Sequence, residues 1–263
     1  MKYGFIGCGN MGGAIARAMA WKTKDLALSD RSGKAKALAA DLGVTYTDNA
    51  TIAAQAEYIF LGVKPFMMAG VLEPLKEILA QRRPVLVTMA AGLTLDTIAE
   101  FTGTQLPVVR IMPNTPTAIG RGVIQYCRNG LVTDEMLETL LKDMAPCGLL
   151  DHLEENLIDA ASALSGSGPA YLYVMLEAMA DGAVACGVPR AKAMEYAAMT
   201  MVGAGELYLQ THTHPGALKD AVCSPKGSTI AGLRALEQHG FRGAVMDCVM
   251  ATYERNKEVA KEK

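Results

Sequence analysis

The segment from residue 224 to residue 229 gathers side-chain hydroxyls and backbone N–H groups within six residues. It reads SPKGST, and residues 230–236 after it carry mainly apolar side chains at helical spacing. Pro225 and Gly227 predict a turn, after which Ser228 and Thr229 open a helix. The first N–H groups of a helix lack partners within the helix and lie at its positive end, where they bind small anions. The sequence therefore predicts a site for a small carboxylate.

A glycine-rich loop near the start of the chain predicts a dinucleotide site. Gly7, Gly9 and Gly12 follow a predicted strand and open a predicted helix, and Asn10 and Met11 lie between the last two glycines. The first glycine allows a tight turn, the second lets a diphosphate approach the backbone, and the third lets the helix pack on the strand. We expect the diphosphate to lie at the N-terminus of this helix.

The residues that follow the second predicted strand give two different indications of the cofactor. Asp30 can accept hydrogen bonds from the ribose hydroxyls of NAD. Arg31, Ser32 and Lys34 follow at once and can bind the 2′-phosphate of NADP. We favour NADP, because an arginine on a turn beside a strand end is a typical phosphate ligand. NAD stays open as an alternative.

Three further strand ends are predicted to line the same crevice, because the carboxyl ends of parallel strands form the ligand-binding edge of such a sheet. Small residues there allow a dinucleotide to lie close, and Lys64 and Asn114 can offer it hydrogen-bond donors. The candidate residues at these ends are Val63, Lys64, Pro65, Ala90, Ala91, Gly92 and Asn114.

The elements expected to position these residues divide the chain into two domains. Residues 1–152 alternate strands and helices, which indicates an α/β domain of the Rossmann type with a mostly parallel sheet. Strands are predicted at 3–7, 25–30, 58–63, 84–89, 108–112 and 123–126, and helices at 11–20, 34–42, 67–81 and 134–144. Residues 153–263 read as all-α, and residues 169–186 carry charge only at Glu177 and Asp181. We expect this apolar surface to be buried in a homo-oligomer, and packing on the first domain stays open as the alternative.

Composition excludes several other classes of protein. The net charge is −2 and the basic residues are scattered, so we expect neither a nucleic-acid partner nor a membrane partner. The six cysteines lack the close spacing of a zinc site or a disulfide framework, which favours a cytoplasmic protein with reduced thiols. His212 and His214 have no further ligand residues nearby, so no metal site is predicted.

Residues 218–237, which include the SPKGST segment, resemble the signature of the pyrroline-5-carboxylate reductases, the enzymes that make proline. Lys226 stands where this family more usually has glycine. The glycine loop, the strand ends at 63–65, 90–92 and 112–116, and residues 165–170 are similar to the family's elements in the same order. The resemblance extends to Tyr253, nearly the whole chain.

The resemblance implies reduction of 1-pyrroline-5-carboxylate to L-proline, with hydride passing from C4 of the nicotinamide to the imine carbon. Thr229 and Ser224 are the implied catalytic residues. The implied substrate ligands are Ser224, Lys226, Gly227, Ser228 and Thr229. Residues 165–170 would lie beside the nicotinamide, although capping of a helix explains their serines equally well. The family's acidic residue before the His-Pro pair is absent from residues 211–214, so the route of the proton stays open.

Two other functions fit parts of the pattern. A 3-hydroxyacid dehydrogenase of the same two-part architecture would use a lysine on the first long helix after the sheet domain. The chain has no lysine between Lys142 and Lys192, which argues against this activity. A nucleotide-sensing protein would bind NADP without catalysing a reaction, and the segment at 224–229 argues against that role.

Overall fold

The structure, a computed structural model, describes residues 1–261. Its strands are β1 (Tyr3–Ile6), β2 (Leu26–Ser29), β3 (Thr45–Tyr46), β4 (Tyr58–Leu61), β5 (Val85–Thr88), β6 (Val108–Met112), β7 (Gly122–Arg128) and β8 (Gly148–His152). Its helices are α1 (Asn10–Met19), α2 (Lys34–Leu42), α3 (Asn49–Gln55), α4 (Met68–Leu72), α5 (Lys76–Arg82), α6 (Leu95–Thr102), α7 (Asp134–Met144), α8 (Glu155–Ser165), α9 (Gly168–Ala185), α10 (Arg190–Thr211), α11 (Pro215–Ala221), α12 (Ser228–Gln238) and α13 (Phe241–Lys261).

The eight strands form one sheet in the order β3-β2-β1-β4-β5-β6-β7-β8. All neighbouring pairs are parallel except β6 and β7, which run antiparallel. The chain adds β2 and β3 on one side of β1 and then crosses back to add β4 on the other side, so the strand order reverses at β1. In such sheets, ligands bind beside the carboxyl ends of the strands at the reversal. The predicted mostly parallel Rossmann-type sheet followed by helices is confirmed.

The core lies on both faces of this sheet, because successive strand residues point to opposite sides. Phe5 and Phe60 stack on one face with their ring centroids 4.4 Å apart, in a cluster that also contains residues of α1, α2 and α7. Ile6 and Leu61 point to the other face, in a cluster with residues of α3, α4, α5 and α6. Burial on two faces explains why these strands read as continuous apolar runs.

The segment predicted as one helix at 67–81 is divided into four short elements. Helices α4 and α5 are each preceded by a 3-10 turn, at Pro65–Met67 and Glu73–Leu75. Pro74 has no N–H to donate, so a continuous helix over this segment was the wrong prediction. The sequence also gave no prediction for the short strands β3 and β8 or for helices α3 and α6.

Helix α8 is tied to the sheet by a buried arginine. The side chain of Arg110, on β6, is only 2% exposed. Its guanidinium lies 2.6 Å from Asp159 and 3.3 Å from Glu155, one turn apart on α8. The carboxylate of Glu155 also accepts a hydrogen bond from the backbone N–H of Leu95. A buried guanidinium is costly unless it is paired, so these contacts fix α8 on the sheet.

The chain separates into two compact units. One contains Met1–Ser167 together with residues 252–261, and the other contains Gly168–Ala251. The predicted boundary at 152/153 lies just after β8, whereas the compact units divide after α8, because of the Arg110 contacts. Within residues 1–261, no helix combines the length and the apolar character that crossing a bilayer requires.

In the helical unit, residues 168–251, all of which the structure describes, bury only three side chains. These are Ala180, Ala193 and Ala197. Large apolar side chains are exposed on the same helices, including Val174 at 70% and Met199 at 65% exposure. A folded unit normally covers such residues, so this surface is suited to a contact with another chain.

Candidate functional site

A cavity of about 1270 Å³ lies at the carboxyl ends of β1, β2, β4, β5 and β6. Its walls include twelve of the predicted cofactor residues: Gly7, Gly9, Asn10, Met11, Asp30, Arg31, Ser32, Val63, Lys64, Pro65, Ala90 and Ala91. Gly12, Gly92 and Asn114 are not among the lining residues. The cavity has the location and the volume expected of a dinucleotide site.

The glycine loop has the geometry that a diphosphate requires. Gly7 has φ +96°, which favours glycine, and a Cβ on Gly12 would collide with the carbonyl oxygen of Gly7. A Cβ on Gly9 would meet no protein atom within 4 Å, so the space beside this residue is open. Gly9 is the N-cap of α1 and provides no side-chain cap. The first N–H groups of α1 therefore face an open site for an anion, and the loop fits the dinucleotide.

The loop after β2 is organised by Asp30. One carboxylate oxygen accepts a hydrogen bond from the backbone N–H of Gly33 at 2.9 Å. The other accepts one from the N–H of Ala35 at 3.0 Å and one from the hydroxyl of Ser32 at 2.8 Å. Arg31 and Lys34 are exposed, line the cavity, and have no ion-pair partner among the described residues.

The side chain of Asn114 makes two hydrogen bonds within the protein. Its side-chain oxygen accepts a hydrogen bond from the N–H of Val123 at 2.9 Å, and its amide donates to the carbonyl of Ser165 at 2.9 Å. Asn114 is buried and outside the cavity lining, and its side chain joins β7 to the end of α8. Gly92 (φ +68°) provides a turn after β5 and also lies outside the lining.

Ser165 lies in the segment expected to adjoin the nicotinamide, and it takes part in the same contact between β7 and the end of α8. Its hydroxyl is hydrogen-bonded to the side chain of Gln125, and also donates to the carbonyl of Ala161. These contacts hold the end of α8 against β7. Ser165 therefore has a structural role. The sequence alone was equally consistent with a structural role and with a binding role for this residue.

Sequence reasoning missed one wall of the cavity, which is formed by residues 46–50 between β3 and α3. Asn49 lies in this wall and accepts a hydrogen bond from the hydroxyl of Ser29 at 2.6 Å. Asp48 is the N-cap of α3, and its carboxylate accepts from the N–H of Thr51 at 2.8 Å. That hydrogen bond lowers the pKa of Asp48. The pattern of Asp48 and Thr51 is a capping signal that would have revealed α3 and this wall.

Cys8 lies within the glycine loop without being reactive. The side chain is buried, and burial raises the pKa of its thiol to about 12, with the charge of Asp30 adding to the effect. The thiolate is the nucleophilic form of cysteine, so this thiol has no catalytic role near neutral pH.

The SPKGST segment forms the predicted turn and helix start. Helix α12 begins at Ser228, its N-cap is Gly227, and no side chain caps it. The N–H of Gly227 donates to the carbonyl of Ser224 at 3.0 Å, and a Cβ on Gly227 would collide with the Ser224 hydroxyl. Ser228 and Thr229 are exposed. The first turn of α12 thus presents free N–H groups and two hydroxyls to a ligand.

The backbone conformation of Lys226 is one that favours glycine. It has φ +58°, in the left-handed region that glycine adopts without strain. A side chain there costs about 1 kcal/mol. Lys226 is exposed and has no ion-pair partner within the described part of the chain.

The two histidines before α11 have separate structural roles. His212 ends α10 with φ +49°, and the ring of His214 accepts a hydrogen bond from the N–H of Gly216 at 3.1 Å. Among the described residues, no three His, Cys, Asp or Glu side chains are grouped to hold a metal ion.

Known protein families match both parts of the chain. A family described as "Pyrroline-5-carboxylate reductase dimerisation" matches residues 155–259. One described as "NADP oxidoreductase coenzyme F420-dependent" matches residues 2–92.

Individual relatives match over nearly the full length. Pyrroline-5-carboxylate reductase of Escherichia coli K12 is 38% identical, over 99% of this chain and 98% of the relative. The structure of 1-pyrroline-5-carboxylate reductase from Streptococcus pyogenes has a TM-score of 0.88 and 32% identity, covering 98% of each chain. Pyrroline carboxylate reductase of Plasmodium falciparum, solved with NADP bound, has a TM-score of 0.86 and 30% identity, covering 99% of each chain. The chain therefore belongs to the pyrroline-5-carboxylate reductase family.

Proposed function

We propose that this chain reduces 1-pyrroline-5-carboxylate to L-proline with NADPH. The observation that carries the proposal is the uncapped first turn of α12, with Ser228 and Thr229 exposed, in a chain that also forms a dinucleotide cavity. Membership of the reductase family supports the same activity.

The cofactor's nicotinamide supplies a hydride from its C4 when it is bound. Addition of the hydride to the carbon of a protonated imine gives the neutral amine of proline, which then takes up its second nitrogen proton from water. The protein then needs mainly to bind and orient the two partners. We assign the substrate carboxylate to the N–H groups of α12 and to the hydroxyls of Ser224, Ser228 and Thr229, and a contact near the ring nitrogen to Thr229.

The structure of the cavity supports NADPH as the preferred cofactor. Arg31 and Lys34 are available to a 2′-phosphate, whereas Asp30 already accepts three hydrogen bonds from its own loop. The Plasmodium falciparum relative was solved with NADP bound, which supports this preference.

We propose that the working enzyme is a homo-oligomer formed through the helical part of the chain. The match of residues 155–259 to a dimerisation family supports this assembly, as do the exposed apolar side chains of α9 and α10. All six cysteines are free thiols, which supports a reducing compartment such as the cytoplasm.

A direct assay tests the proposed activity. The purified protein is mixed with 1-pyrroline-5-carboxylate and NADPH, and the loss of absorbance of the reduced nicotinamide is followed while L-proline is measured. We expect one proline for each NADPH oxidised, and a lower kcat/KM with NADH. Binding of NADPH without any turnover of the imine would contradict the proposal and favour the nucleotide-sensing role.

A further inference from the structure

The position of Asp30 at the end of β2 is where dehydrogenases of this fold commonly read the ribose of NAD. A carboxylate that holds two ribose hydroxyls must offer acceptor sites to both. In this chain, both oxygens of Asp30 already accept hydrogen bonds from the loop that follows it. A carboxylate has about four acceptor sites, and three are in use here. Binding two ribose hydroxyls would therefore require it to release part of the loop.

The three hydrogen bonds fix the loop that carries the cations. Gly33 has φ +78°, which lets the chain reverse direction between Asp30 and α2. The N–H groups of Gly33 and Ala35 and the hydroxyl of Ser32 all point back to the one carboxylate, and Arg31 and Lys34 lie within the same reversal. Without the carboxylate, these three groups would lose the acceptor that they share.

The charges of the cavity lead to the same assignment. Its two carboxylates, Asp30 and Asp48, each accept backbone N–H groups at a helix start. Its cations, Arg31, Lys34 and Lys64, have no ion-pair partner in the part of the chain that the structure describes. The groups left available to a ligand are therefore cationic, which suits a phosphate better than a pair of hydroxyls.

We propose that Asp30 is a positioning residue that selects NADPH, because it holds Arg31 and Lys34 where a 2′-phosphate binds. This inference rests on the proposed function for the identity of the cofactor. An acidic residue at this position usually favours NAD, because it binds the ribose hydroxyls. Loss of such a ribose ligand would weaken NADH selectively, whereas we expect loss of Asp30 to weaken NADPH selectively.

The test measures dissociation constants of NADPH and NADH by their fluorescence, with no imine present. We expect Asp30→Ala to weaken NADPH by about tenfold more than NADH, in the same direction as Arg31→Ala. Asp30→Asn keeps one side-chain oxygen as an acceptor, so we expect it to recover part of the NADPH affinity.

Two results would overturn the inference. A selective loss of NADH in Asp30→Ala would identify Asp30 as a ribose ligand. Equal or tighter binding of NADPH would mean that Asp30 acts only through its negative charge. If Asp30→Ala does not fold, Asp30→Asn, which keeps the shape of the side chain, decides between the same outcomes.

A matched control separates this role from a general loss of stability. Thr133 caps α7 away from the cavity, through a hydrogen bond from the N–H of Met136. Thr133→Ala should lower the melting temperature while leaving the ratio of the two dissociation constants unchanged. Failure of the proposed function can be distinguished from failure of this inference. A wild-type protein that prefers NADPH but does not reduce the imine would contradict only the proposed activity.

Discussion

A substitution of Thr229 can test substrate binding without removing a helix cap. The N-cap of α12 is Gly227, and no side chain caps this helix. We predict that Thr229→Ala lowers kcat/KM for the imine about tenfold, from a lost hydrogen bond worth ~1–2 kcal/mol. The affinity for NADPH and the free energy of unfolding should change little. Steady-state kinetics, NADPH titration and urea unfolding measure the three quantities. Normal kinetics with a loss of stability would assign Thr229 to the helix alone.

Lys226 combines a strained backbone with an unpaired cation next to the α12 N-terminus. We predict that Lys226→Gly raises KM for the imine several-fold at low salt, because the cation attracts a carboxylate. The difference should shrink at high salt, where the screening length is about 3 Å. Relief of the backbone strain is partly offset by the greater freedom of glycine in the unfolded chain, so stability should rise by no more than about 1 kcal/mol. A salt-independent difference in kcat/KM would mean that the backbone of the turn, and not its charge, had changed.

The start of β1 contacts the end of α7 through a polar cluster that links stability to pH. Asp143 accepts hydrogen bonds from Lys2 and from the hydroxyl of Tyr3, both at 2.7 Å. Burial raises the pKa of Asp143, but these two donors outweigh it and leave the pKa below its usual value. Burial, and then the contact with Asp143, raise the pKa of Tyr3. The stabilisation from Asp143 is therefore lost as pH falls below its unfolded pKa, and that from Tyr3 is lost as pH rises above about 10.

We predict that Tyr3→Phe lowers the free energy of unfolding by about 1–2 kcal/mol at neutral pH, because Asp143 loses a donor. It should also reduce the loss of stability of the wild type between about pH 9 and pH 11, where an unfolded tyrosine ionises. Urea midpoints across this range, at one protein concentration, measure both effects. Parallel curves for the two proteins would show that Tyr3 does not contribute to the alkaline transition.

The elements that sequence patterns predicted are those with strong local signals. The central strands are long apolar runs, and Lys34–Leu42 and Asp134–Met144 have the predicted bounds. Strand β3 has two residues and pairs with β2. Two residues are too few to form the apolar or alternating pattern from which a strand is predicted. The roles of Asn114 and Ser165 depend on a contact across 51 positions of the chain, which no local pattern contains. The glycine loop and the SPKGST turn were predictable because backbone geometry there demands particular residues.

The exposed apolar surface of α9 and α10 makes the assembly of the whole protein testable. We predict that the 27.9 kDa chain forms a dimer or larger oligomer at micromolar concentration. Met199→Glu, on α10, should weaken that assembly, because it places a charge on a surface that a partner chain would bury. Light scattering coupled to size exclusion measures the mass. Leu149→Glu is the control, since Leu149 is 58% exposed on β8, outside the helical unit. A wild-type monomer would contradict the prediction.

The buried cysteine of the glycine loop has a consequence for oxidative stress. Burial raises the pKa of the Cys8 thiol to about 12, so very little of this thiol is thiolate near neutral pH. Peroxides and alkylating agents react with thiolates, so we expect them to modify Cys8 slowly in the folded protein. The cofactor loop can therefore contain a cysteine without its diphosphate site becoming sensitive to oxidation at that residue.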